Sequence, residues 1–175
     1  MIELVLGGAR SGKSGYAQQC ALDKNKPVLL IATATADDNE MAQRINLHKQ
    51  QRPNNIKVIE EPLELATVLV NPANANKTIL IDCLTLWVSN LLLKYKEEIE
   101  DSEELNAFIN CLDTMSADVY IVSNEVGMGI IPLGHLNRIY CDTVGRLHQA
   151  IATKAQRVTL MVAGLPHSIK SETKL

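Results

Sequence analysis

Aromatic residues are scarce: one Trp, one Phe and four Tyr in 175 residues, 3% in all. The core must therefore be aliphatic, and 46% hydrophobic residues suffice to build one. A basic surplus is also missing, with 17 Lys and Arg against 20 Asp and Glu, a net charge of −3 and a pI near 5.8. That excludes a broad cationic face for nucleic acid, so any positive site is local. No long apolar run exists. The best stretch, Leu84 to Leu93, is broken by Thr85, Ser89 and Asn90 and is too short and polar to span a bilayer. Cys20, Cys83, Cys111 and Cys141 are scattered without a C-x-x-C pair. This argues against a zinc site or a disulfide framework and for a reducing, cytoplasmic setting. The chain enters a strand at once, which leaves no room for a signal peptide. Repeats and low-complexity tracts are lacking too, and the length suits one domain spanning residues 1–175.

What is present starts with Gly7-Gly8-Ala9-Arg10-Ser11-Gly12-Lys13-Ser14, which fits the phosphate-binding pattern G-x-x-x-x-G-K-[ST]. Chance gives this pattern in about one chain in a hundred of this length. Here it also lies between an apolar strand at 2–6 and a helix reaching Leu22, the setting that the site needs. Gly7 and Gly12 let the backbone curl so that successive N–H groups converge on one anion. The helix N-terminus adds partial positive charge. Lys13 is expected to reach the β- and γ-phosphates, and the Ser14 hydroxyl to hold Mg²⁺.

Further along, 28–32 and 78–82 are continuous apolar runs, as expected of strands buried on both faces. Thr33-Ala34-Thr35 follows the first and should lie near the phosphate loop, because ligands of open α/β sheets bind beyond strand carboxyl ends. The second ends in Asp82, the position of a Walker B aspartate. Residues 56–59 form a short strand, and a helix is expected from Pro62 through Val70. A helix apolar nearly all round spans Leu84 to Tyr95, to be buried in the domain or against another subunit. An acidic, solvated link (96–104), a helix (105–115) and a strand (119–123) follow. The Gly-rich loop 124–134 lies at a strand's carboxyl end, where long loops carry function. A long helix (136–154), a last strand (157–163) and a loose polar tail from Pro166 complete the expectation. Strands alternating with helices predict an α/β fold, P-loop NTPase-like (RecA-like), with a mostly parallel sheet flanked by helices.

A helix opening at Asp37 and stopping near Pro53 places Arg44, His48 and Arg52 on one stripe, four residues apart. By itself the stripe reads first as a solvated basic face with a bystander histidine. As a site, flanking arginines would hold an anion and disfavour protonation of His48, leaving the neutral imidazole that a nucleophile needs. Asn25-Lys26 and Asn76-Lys77 both lack the Asp of a guanine-reading N-K-x-D, so a signalling GTPase is disfavoured. Asp142-Thr143-Val144-Gly145 matches D-x-x-G but falls inside an expected helix. The size fits a small-molecule kinase.

The form of the phosphate loop, Arg44-Ile45-Asn46-Leu47-His48-Lys49-Gln50-Gln51-Arg52-Pro53 and Asn124-Glu125-Val126-Gly127-Met128-Gly129-Ile130, in that order, resembles one family. It is the bifunctional adenosylcobinamide kinase / adenosylcobinamide-phosphate guanylyltransferase of cobalamin biosynthesis, and the likeness covers nearly the whole chain. The resemblance implies phosphorylation of adenosylcobinamide by ATP or GTP. It then implies GMP transfer from GTP, through a covalent phosphoramidate on a histidine, to give adenosyl-GDP-cobinamide. That histidine falls on His48. Family nucleotide contacts fall on Gly7 to Ser14, Thr33 to Thr35, Lys49 to Arg52, Glu60 (with Glu61 beside it as the alternative) and Asp82. Some relatives carry Glu at the last position, so Asp82 keeps the carboxylate with a reach shorter by one methylene. A propeller-like homotrimer is implied as well. The loop 124–134 is expected to form part of a corrinoid wall or a moving element. The alternatives are a phosphate-loop kinase without guanylyl transfer and a nucleotide-dependent regulatory protein.

Overall fold

Short runs of β-branched and leucine residues form the strands, and their alternation sorts the core into two layers. The computed structural model describes residues 1–35 and 55–171. Seven strands, β1 (Ile2–Gly7), β2 (Val28–Ala32), β3 (Ile56–Glu60), β4 (Thr78–Asp82), β5 (Asp118–Asn124), β6 (Arg157–Val162) and β7 (Leu165–Lys170), form one sheet. Its order is β3-β2-β4-β5-β1-β6-β7, parallel except for β7. The described helices are α1 (Lys13–Leu22), α2 (Leu65–Leu69), α3 (Leu84–Tyr95), α4 (Glu103–Cys111) and α5 (His135–Lys154).

Ile2, Leu4, Leu6, Ile79, Ile81 and Ile121 pack with α2 to α5 on one face. Val5, Leu30, Leu80 and Val122 pack with Ala17 and Ala21 of α1 on the other. The few aromatics are concentrated. Trp87 and Phe108 are both fully buried, with ring centroids 5.0 Å apart. Trp87 Nε1 donates to the Leu63 carbonyl at 2.7 Å. Glu3 is buried in the α1 layer, where its Oε1 accepts from Tyr16 and Thr159 and its Oε2 lies 3.5 Å from Arg157 Nε. A buried carboxylate is tolerable only with such partners. Among the described residues no helix is long and apolar enough to cross a membrane.

The structure corrects four expectations. The tail from Pro166 is not loose and the strand at 157–163 is not the last. β6 stops at Val162, Ala163 and Gly164 turn with φ of 52° and 82°, and β7 returns antiparallel. Two successive positive φ values are what a tight hairpin requires. Pro166 is tolerated because β7 is an edge strand. The helix after β3 does not start at Pro62. Glu61 Oε1 accepts from the amides of Leu63 and Glu64 at 3.0 and 2.8 Å, which holds 62–64 in a turn, so α2 spans only Leu65–Leu69. The segment 96–104 is not merely solvated. It holds a 3₁₀ turn, Lys96–Asp101, pinned by buried Ile99. Buried Glu104 binds Lys94 Nζ at 2.5 Å and the Tyr95 hydroxyl at 2.8 Å. The next helix, α4, starts at Glu103 and ends at Cys111 in a 3₁₀ turn rather than running 105–115. α3 buries Leu84, Trp87, Val88 and Leu91 in the domain and leaves Leu93 75% exposed. The helix expected at 37–52 lies outside the described residues.

Candidate nucleotide-binding site

Parallel pairing brings the carboxyl ends of β2, β4, β5 and β1 to one edge: Ala32 pairs with Asp82, Asp82 with Val122 and Gly7 with Asn124. At that edge β1 opens into the phosphate loop. A Cβ on Gly7 would stand 2.5 Å from Ser11 Oγ and 2.7 Å from the Met161 carbonyl, so only glycine fits there. Arg10 and Gly12 adopt left-handed φ of 56° and 93°, which turns the loop into the start of α1. Alternation of this kind aims consecutive amides at a common point, the geometry of an anion nest. Ser11 Oγ is buried with no partner among the described residues, a donor left for a ligand. Gly8 and Ala9 form the crest of the loop, and the Gly8 carbonyl accepts from Ser11 N at 3.2 Å.

Lys13 is only 8% exposed and folds back so that Nζ donates to the Gly8 carbonyl at 2.9 Å. Burial lowers its pKa, against the opposing pull of Cys83 and Asp82. An anion at the loop would supply the missing counter-charge. Ser14 Oγ lies 3.3 Å from Asp82 Oδ1. These two hard oxygens, one at a helix start and one at a strand end, form a donor set that suits Mg²⁺ completed by phosphate oxygens and water.

The remaining expected residues are placed as follows. Thr33 is fully buried. Its hydroxyl donates to the Cys83 carbonyl at 2.7 Å and accepts from Cys83 N at 3.1 Å, so it ties β2 to the end of β4. Ala34 and Thr35 continue from it, half-buried. Glu60 ends β3 and is exposed. Of the two candidate glutamates, Glu61 is engaged in its backbone cap. Arg44, His48, Lys49, Gln50, Gln51 and Arg52 lie outside the described residues.

Two features escaped the sequence reading. Asn124 Nδ2 donates to Thr85 Oγ1 at 3.2 Å, and Thr85 Oγ1 lies 2.8 Å from Cys83 Sγ, which links β5 to the Asp82 turn. On α5, His148 is buried, with Nε2 2.7 Å from Ser123 Oγ and Nδ1 4.0 Å from Glu125 Oε2. Burial lowers the His148 pKa, and Glu125 partly offsets this. Its burial was legible, because Val144, Leu147 and Ile151 mark the apolar stripe of that helix. Its partners were not.

A phosphate loop at a strand–helix junction, a serine facing a strand-end carboxylate and a mostly parallel sheet define a P-loop NTPase-like nucleotide-binding protein. The chain belongs to the cobinamide kinase / cobinamide phosphate guanyltransferase family, which it matches over residues 3–169. It is 48% identical to the bifunctional adenosylcobalamin biosynthesis protein CobP of Pseudomonas aeruginosa, over 98% of this chain and 99% of that protein. It is 37% identical to the bifunctional adenosylcobalamin biosynthesis protein CobU of Escherichia coli K12, over 97% of this chain and 100% of that one. Among solved structures it resembles a RadB recombinase with a TM-score of 0.51, covering 91% of this chain and 73% of that one. At 14% identity that likeness concerns the fold alone.

Proposed function

We propose that the chain carries out two consecutive transfers at one phosphate loop, within a single domain spanning residues 1–175. In the first, the hydroxyl of adenosylcobinamide attacks the γ-phosphorus of ATP or GTP and the nucleoside diphosphate departs. In the second, His48 attacks the α-phosphorus of GTP and releases pyrophosphate. The phosphate of adenosylcobinamide phosphate then takes GMP from the histidine, giving adenosyl-GDP-cobinamide. The observation that carries this reading is the phosphate loop with Ser14 facing Asp82 in a chain of this family.

Gly7 to Gly12 give backbone amides to the phosphates, and Lys13 leaves the Gly8 carbonyl to meet them. Ser14 and Asp82 would hold Mg²⁺, which when bound neutralises charge on the phosphate oxygens. Arg44 and Arg52, with Lys49 to Gln51, hold the nucleotide beside His48. Ala34 and Thr35, beyond the end of β2, line the nucleotide, buried Thr33 fixes their backbone through Cys83, and Glu60 contacts the nucleotide from β3. The assembly is a cytoplasmic homotrimer, with exposed Leu93 on α3 available to a neighbouring copy.

The test is incubation with [α-³²P]GTP and Mg²⁺, then a denaturing gel. Label that survives base, is lost in acid and disappears in His48→Ala supports the covalent step, and adenosylcobinamide phosphate should discharge it. A wild type that binds GTP without taking label leaves a plain kinase.

A further inference from the structure

β5 lies between the strand that carries the phosphate loop and the strand that carries Asp82. Whatever directly follows β5 therefore sits between the phosphate clamp and the metal-holding carboxylate. That residue is Glu125. Its backbone amide donates to the Gly7 carbonyl at 3.0 Å, which fixes it against the first residue of the phosphate loop. Gly127 N donates to its Oε1 at 2.6 Å, and the His148 imidazole stands beside Oε2 with Nδ1 at 4.0 Å. His148 is itself fixed by Ser123 Oγ at 2.7 Å. The side chain is 20% exposed, so a substrate can reach it. The other strand-end carboxylates serve elsewhere. Asp82 faces Ser14, Glu61 caps a turn, and Glu60 stands at the far edge on β3.

We propose that Glu125 is the base of the phosphoryl-transfer step and that His148 is its positioning residue. The inference rests on the kinase reading above. As the acceptor hydroxyl oxygen bonds to the γ-phosphorus, the bond from phosphorus to the bridging oxygen breaks. The nucleoside diphosphate keeps that electron pair, and the hydroxyl proton passes to Glu125 Oε2. A carboxylate fixed by an amide, with an imidazole packed beside it, is pre-oriented for this, and a positioned base contributes about 10²–10⁴-fold. The guanylylation of His48 needs no hydroxyl deprotonation and is independent of it.

Glu125→Gln keeps the shape and the contact with Gly127 but cannot take the proton. Its kcat for phosphorylation of the cobinamide hydroxyl is expected to fall at least 100-fold, with nucleotide Kd and the rate of [α-³²P]GTP labelling within threefold of wild type. His148→Phe should lower the same kcat about tenfold at unchanged nucleotide KM, a split that mere destabilisation would not give. Should Glu125→Gln fail to fold, Glu125→Asp replaces it, with a kcat loss of at least tenfold expected from the shortened reach. Phosphorylation within threefold of wild type in the folded variant, or equal loss of both steps, overturns the inference alone. A wild type that transfers no phosphate overturns the kinase reading and the inference with it.

Discussion

Gly7→Ala tests whether the phosphate loop is built against β6 as tightly as the geometry states. The new Cβ would lie 2.5 Å from Ser11 Oγ and 2.7 Å from the Met161 carbonyl. The serine hydroxyl can rotate away. The carbonyl cannot, because Met161 pairs with Gly7 on one side and Pro166 on the other. Carbon–oxygen contacts relax at about 3.3 Å, so β1 and β6 must part locally by roughly 0.6 Å. Overpacking of that kind costs about 1–2 kcal/mol, and a weakened ladder bond about 1 more. The sum of about 2–3 kcal/mol lowers the melting temperature by roughly 4–12 °C in a domain of this size. The same displacement moves the amide of Glu125, bonded to the Gly7 carbonyl, and spoils the convergence of the loop on a phosphate. Nucleotide affinity should therefore fall at least tenfold. Gly8→Ala is the control for stability, since a Cβ there meets nothing within 4 Å. Calorimetry and GTP titration decide. Equal melting temperatures and equal affinities for Gly7→Ala and wild type refute the reasoning.

Gly15→Ala in α1 meets open space and should raise stability by about 0.5–1 kcal/mol, seen as a melting temperature higher by a few degrees. Trp87→Ala removes the largest fully buried side chain and its indole hydrogen bond to the Leu63 carbonyl, so the urea midpoint followed by circular dichroism should report a loss of about 4–6 kcal/mol. His148 has its folded pKa lowered by burial, so its neutral form supports the fold above the unfolded pKa of about 6.5, and that support is lost as pH falls below it. Melting temperature measured from pH 7.5 to 5 should decline more steeply in wild type than in His148→Gln, and parallel curves would remove the histidine from the account.

The legible parts of this chain are those whose chemistry is local. The phosphate loop demands glycine, lysine and serine at fixed spacing, and the sheet demands apolar runs. Both stand in sequence as they stand in space, down to Asp82 at the end of β4. What was illegible depends on partners far apart along the chain. Glu104 looked solvated because Lys94 and Tyr95, which bury it, lie on the preceding helix. β7 looked like a loose tail because an edge strand needs no apolar face, and its residues are all exposed. Glu125 and His148 are 23 positions apart, and only the docking of α5 on β5 joins them.

One loop can serve two reactions because the clamp and the attack are separable. On the proposed reading Lys13, Ser14 and Asp82 act on the phosphates of the bound nucleotide and do not choose which phosphorus reacts. The choice lies with the nucleophile. On that reading a hydroxyl activated by Glu125 approaches the terminal phosphate from the side of Gly7, whose carbonyl accepts from the Glu125 amide. The second nucleophile has to approach a different phosphorus of the same clamped chain, so it must come from another side. A variant that disables one side while sparing the clamp should therefore silence one transfer and leave the other.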